Sequence, residues 1–100
     1  MYLQQGDTLY YPESIPDGLT PLKTNVVQEG EATGHAHRLY GDGFQLFEEP
    51  KSKTKYLRLV EPTALRHEEH KEIMLPPGDY RIGIVREYDH FSEEARRVAD

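Results

Sequence analysis

Apolar and polar residues alternate in short runs along most of the chain, and glycine or proline soon cuts each run. Asp7-Thr8-Leu9-Tyr10-Tyr11 has the β-branched and aromatic content of a strand, ended by Pro12. Pro16-Asp17-Gly18 followed by Thr20-Pro21 reads as a turn-rich connection. Val26-Val27-Gln28 predicts a second short strand, closed by Glu29-Gly30-Glu31. Residues 35–40 and 44–47 are strand-like and flank Gly41-Asp42-Gly43, which predicts a hairpin. Glu48 to Lys55 is polar, contains Pro50 and reads as an exposed loop.

Tyr56-Leu57-Arg58-Leu59-Val60 alternates as a strand with one wet face does. Pro62 interrupts, and Ala64-Leu65-Arg66 leads onward. Lys71 to Leu75 is another extended run, stopped by Pro76-Pro77-Gly78-Asp79. Tyr80 to Tyr88 is the longest β signal, with Tyr80, Ile82, Ile84, Arg86 and Tyr88 on one face. In the tail, Ser92 can cap a short helix with acidic residues in its first turn, or Arg97-Val98-Ala99 can close the sheet as a last strand. The sum is an all-β fold. We expect one domain over residues 1–100, a small β-barrel or sandwich of short antiparallel strands with room for a short C-terminal helix.

Composition narrows the function classes. A chain of 100 residues supports one modest core. There is no cysteine, so disulfides and thiolate metal sites are excluded. No apolar run reaches membrane-spanning length, and the segment from Met1 to Asp7 lacks a signal peptide's charged and apolar regions, so no membrane association and a cytoplasmic location are expected. The net charge of −6, from 18 acidic and 12 basic residues, argues against a sequence-independent grip on duplex nucleic acid. It leaves open a small phosphate-bearing ligand held in a local basic pocket.

Histidine usage changes the picture most. Four of the five histidines sit in two short motifs, Gly34-His35-Ala36-His37 and His67-Glu68-Glu69-His70. On a strand His35 and His37 point the same way, whereas His67 and His70 share a side only if the backbone turns between them. If the motifs meet, His35, His37, His67 and His70 make either general acid/base pairs or a metal site. Two imidazoles can transfer protons at physiological pH. Cleavage of an RNA phosphodiester by its own 2′-OH needs little besides a base, an acid and a cation on the phosphate. Arg38 and Arg66 flank the motifs as phosphate holders. Tyr40 and Tyr80 are candidates to stack on bases or to donate hydrogen bonds. The alternative is a divalent metal ion on the same four histidines. A third reading makes the histidines fold-stabilising members of a half-buried cluster.

The His-x-His pair followed by a distant histidine resembles the opening of the cupin metal motif. It departs from it where Arg38-Leu39-Tyr40-Gly41-Asp42 replaces the expected glutamate, and where Tyr80 follows Pro76-Pro77-Gly78 in place of a histidine. A broader likeness rests on three stretches. These are Glu29 to His37, Leu65 to His70 with Leu75-Pro76-Pro77-Gly78-Asp79-Tyr80, and Arg86-Glu87-Tyr88 near the Arg-Arg-Val-Ala-Asp ending. Together they resemble a family of small, largely uncharacterised prokaryotic proteins found also on phages and mobile elements. A further association is with CRISPR-associated ring nucleases, which cleave cyclic oligoadenylates, commonly as metal-independent dimers. That likeness implies His35, His37, His67 and His70 as catalytic, Arg38, Arg66 or Arg86 on phosphate, no cofactor, a cyclic oligonucleotide ligand and a homodimer. A non-enzymatic binding module, such as an inhibitor from a mobile element, is the remaining class.

Overall fold

A computed structural model of the protein describes residues 1–30 and 34–85. The described residues form ten strands: β1 (Leu3–Gln5), β2 (Thr8–Pro12), β3 (Thr20–Leu22), β4 (Val26–Glu29), β5 (Ala36–Tyr40), β6 (Phe44–Glu48), β7 (Lys55–Leu59), β8 (Thr63–Arg66), β9 (Ile73–Leu75) and β10 (Gly78–Ile84). They form a six-stranded sheet in the order β1-β2-β10-β7-β6-β3 and a four-stranded sheet in the order β4-β5-β8-β9. The pairings are antiparallel. Among the described residues both sheets keep free edges, so the expected all-β fold is a sandwich and not a closed barrel. No helix among the described residues is long and apolar enough to cross a membrane. The C-terminal helix or strand expected over 92–100 lies outside the described residues, as do Arg86 and Tyr88.

The alternation has the physical consequence that strands with one wet face require. On β7, Leu57 and Leu59 point into the core while Arg58 faces out and pairs with Asp79 on the neighbouring strand β10 at 3.1 Å. On β10, Tyr80 and Ile82 are buried and Ile84 packs against the same cluster. Leu46, Leu65 and Leu75 complete its centre from the other strands. Each such side chain, removed from water, contributes roughly 1.5–3 kcal/mol.

Three expectations need correction. Gly41-Asp42-Gly43 is not a hairpin turn: β5 pairs with β4 and β8, whereas β6 pairs with β3 and β7. The turn instead carries the chain from one sheet to the other. It lies against the Val60–Pro62 connection, where a side chain on Gly43 would come within 2.7 Å of Glu61 and 2.9 Å of Val60. The Thr20-Pro21 stretch is not only a connection, because β3 runs through Pro21. An edge strand tolerates a residue without an N–H, and among the described strands β3 has β6 as its single neighbour. Finally, β10 begins at Gly78, inside the proline–glycine turn expected to stop extended structure.

The connections are segregated. Those that change sheets are β3 to β4, β5 to β6, β7 to β8 and β9 to β10. The registers place all of them at one end, where Tyr40 lies opposite Ala64, Thr63 opposite Leu75 and Gly78 opposite Leu59. The opposite end carries loops that return within a sheet: β1 to β2, β4 to β5, β6 to β7 and β8 to β9. Both histidine motifs fall at that end.

Candidate functional site: a four-histidine cluster between the sheets

The two motifs meet. The His37 and His67 ring centroids are 4.4 Å apart, His67 and His70 4.6 Å, His35 and His67 5.7 Å, and His37 and His70 5.8 Å with the rings nearly parallel. His37 enters from the start of β5 on its inward face and is 2% exposed. His35 precedes it on the same side. The second motif occupies the bent β8–β9 loop, and that bend is what brings His67 and His70 together.

The opposing sheet supplies the floor. Gln5 and Thr8 are register partners, so Gly6-Asp7 is a two-residue hairpin turn. Gly6 has φ of +57°, the left-handed conformation that the II′-type hairpin turn needs at its first position. His70 lies on Gly6 so closely that a Cβ there would be 2.5 Å from its Nε2. Gln5 is buried, and its Nε2 donates to Leu65 O at 2.8 Å and to Lys71 O at 3.0 Å. One amide thus clamps both ends of the loop that bears His67 and His70. The Gln5 Oε1 faces His37 Nδ1 at 2.8 Å, and Asp7 Oδ1 faces His37 Nε2 at 3.1 Å. Behind them Tyr10 donates to Thr8 Oγ1, and Thr8 donates to Gln5 O, both at 2.8 Å. Burial pushes the Tyr10 hydroxyl well above its usual range, so it stays a donor.

The electrostatics divide the cluster. The hydrogen bond from His37 holds the Asp7 carboxyl below the usual carboxylate range. Desolvation, reinforced by the neighbouring His37 and His70, pulls His67 below the usual imidazole value. His67 Nδ1 accepts the Glu69 N–H at 3.0 Å, which leaves the proton of its neutral ring on Nε2. Glu68 accepts the Ala36 N–H at 2.9 Å and Arg38 Nη1 at 2.8 Å. The Ala36 amide first, and Arg38 after it, hold this carboxyl down at about 2. The Glu69 carboxylate stands 3.6 Å from His35 Nδ1.

The residues expected to hold phosphate are placed elsewhere. Arg38 and Arg66 are register partners on the outer face of the four-stranded sheet, on the other side of β5 from His37. Arg38 is paired with Glu68, and Arg66 with Glu72 at 2.7 Å. Tyr40, 43% exposed, lies on that outer face with the Arg66 guanidinium 4.9 Å from its ring centre. Tyr80 is buried at the crossover end and donates to Pro76 O at 2.6 Å, so it cannot stack on a base as expected. Arg86 lies outside the described residues. Among the described residues no group of three His, Asp or Glu side chains is set to hold a metal ion.

A β-sandwich whose sheets are joined at one end by a histidine cluster is the class these features define. A family model described as Domain of unknown function (DUF8820) matches residues 4–85, and the chain belongs to that family. The match contains Gln5, Asp7 and all four clustered histidines. It agrees with the resemblance to an uncharacterised family and says nothing of ring nucleases. No curated protein and no solved structure matches the chain.

Proposed function

We propose that the cluster is a metal-independent acid–base site that cleaves RNA-type phosphodiesters in short or cyclic oligonucleotides. The observation that carries this reading is the convergence of His35, His37, His67 and His70 from two distant motifs onto one end of the sandwich. Self-cleavage through a 2′-OH asks for what imidazoles provide. A base takes the hydroxyl proton, the 2′-oxygen bonds to phosphorus, the P–O5′ bond breaks, and an acid returns a proton to the leaving oxygen. His35 and His70 stand at the accessible rim and are assigned to the two proton transfers. The Glu69 carboxylate beside His35 Nδ1 favours a proton on that nitrogen, leaving Nε2 as the base. The Nε2–H of His67 is a donor for a phosphoryl oxygen. Arg38 and Arg66, committed to carboxylates on the outer face, are left to steady more distant parts of the ligand. A second copy of the chain, related by a two-fold axis, would deepen the shallow site.

The test is incubation of EDTA-treated protein with cyclic and linear oligoadenylates, beside elemental analysis of the untreated protein. Cleavage that survives EDTA and disappears in the quadruple variant with His35, His37, His67 and His70 replaced by Ala is the expected result. Metal near one equivalent per chain, with cleavage only when it is present, would overturn the metal-free mechanism. Neither metal nor cleavage would leave a non-enzymatic binding module.

A further inference from the structure

We propose that Gln5 and Asp7 are the positioning residues of this site. They fix His37 as a ring that donates a proton to each of them, and so place a positive charge beneath the other three imidazoles. This deepens the acid–base reading and rests on it for its catalytic consequence, though not for its geometry.

The direction of each hydrogen bond follows from the groups that cannot donate. Leu65 O and Lys71 O are backbone carbonyls, so the Gln5 atom facing both must be its NH₂. Turning the amide over would set an oxygen against two oxygens and lose both bonds. The Gln5 oxygen is therefore the atom that faces His37, and it accepts from Nδ1–H. Nε2 is then left opposite Asp7. A neutral ring would present a lone pair there, toward a carboxylate that is held in its ionised form. The arrangement is satisfied when Nε2 also carries a proton.

The groups facing this ring from the packed elements agree. Asp7 comes from the β1–β2 turn, and His67 and His70 come from the β8–β9 loop, while His35, on the ring's own segment, contacts His67 rather than His37. Asp7 is thus the carboxylate opposite the ring, and His67 and His70 are the imidazoles packed against it. His67, at 4.4 Å, is held below the usual imidazole value by desolvation first and by His37 after it. His37 has both nitrogens occupied and is almost fully buried, so it cannot meet a substrate proton. Its work is to discourage charging of His67, which then offers its Nε2–H as a neutral donor, and to hold a positive charge near a bound phosphate.

Long-range 1H–15N spectra of the full chain at neutral pH read this directly. The expected result is a His37 ring with protons on both nitrogens in the wild type. Asp7→Asn should reduce it to a single proton on Nδ1, with the Gln5 bond kept. In the same variant kcat on an oligoadenylate should fall by about 10–100-fold with KM little changed, the scale set by losing a hydrogen-bonded partner that orients an imidazole behind a site. Asp7→Glu should restore part of both readouts. A singly protonated His37 in the wild type overturns the proposal, and needs no variant to fold. A His37 spectrum unchanged by Asp7→Asn overturns it as well. A doubly protonated His37 in a protein that cleaves nothing supports the geometric lock and sinks the acid–base reading, so the two failures are distinguishable.

Discussion

The two ends of the sandwich hold the sheets together by different means. At one end the chain itself crosses between sheets, and the crossings lie against one another. At the other, the described contacts between sheets are side-chain bonds: Gln5 to Leu65 O and Lys71 O, His37 to Gln5 and Asp7, and Lys55 Nζ to Val27 O at 2.9 Å. A covalent crossing limits separation whatever the solvent. Hydrogen bonds and ion pairs respond to pH, to ligands and to one lost group. The histidine cluster lies at the end that can respond, and the hydrophobic core between the ends should let each be altered without the other.

The largest effect is expected at the crossover end. Leu75 is fully buried where β9 leaves for the other sheet. Leu75→Ala removes apolar contact and leaves a cavity, costing about 2–5 kcal/mol. Urea denaturation should show it, while the His37 ring signals in the folded fraction stay where they were. A shift of those signals as large as the loss of stability would break the proposed independence of the ends.

Gly6→Ala addresses the loop end and should cost less. A φ of +57° disfavours Ala by roughly 1–2 kcal/mol. Its Cβ would also overlap the His70 ring, which is exposed and able to swing away. The expected outcome is a folded protein with a displaced His70 resonance and cleavage lost out of proportion to stability. Normal cleavage would show that His70 need not rest on the turn.

Much of the fold was legible because alternation is local. The cores of β7 and β10 follow from side chains taking turns on a pleated strand. Gly41-Asp42-Gly43 misled because a glycine turn between two strand-like runs gives the same signal whether the strands pair edge to edge or face each other across a core. Pro21 hid β3, since its position at an edge is a property of the whole sheet. Leu3-Gln4-Gln5 was too short and polar to register as β1. The histidines stood out by their clustering, but Gln5 and Asp7 lie 32 and 30 residues from His37 along the chain. The one sequence signal that pointed to them was Gly6 followed by Asp7 ahead of a strand, the mark of a two-residue turn that needed a partner strand over Leu3–Gln5.

The smallest effect concerns Glu68, which ties the β8–β9 loop to the start of β5 through the Ala36 N–H and Arg38. Its carboxyl is depressed in the folded chain to about 2, against about 4.3 when unfolded. A depressed acid adds stability that is fully present above the unfolded value and is lost as pH falls through the folded one. The contribution should therefore be intact at neutral pH, shrink below about 4.3 and be gone below about 2. Because Glu68 is exposed, solvent screening keeps it small. Glu68→Gln should accordingly lower the urea midpoint slightly at neutral pH and converge with the wild type in acid. Asp7, depressed for a different reason, continues to titrate in both proteins and cancels from the comparison. In the wild type the Ala36 amide resonance should move with the Glu68 titration, whereas amides at the crossover end, such as Val60 bonded to Gly43 O at 2.9 Å, should not. Parallel denaturation curves for the two proteins across the acid range, or an Ala36 amide that ignores pH, would show that this end is held by something other than its charges.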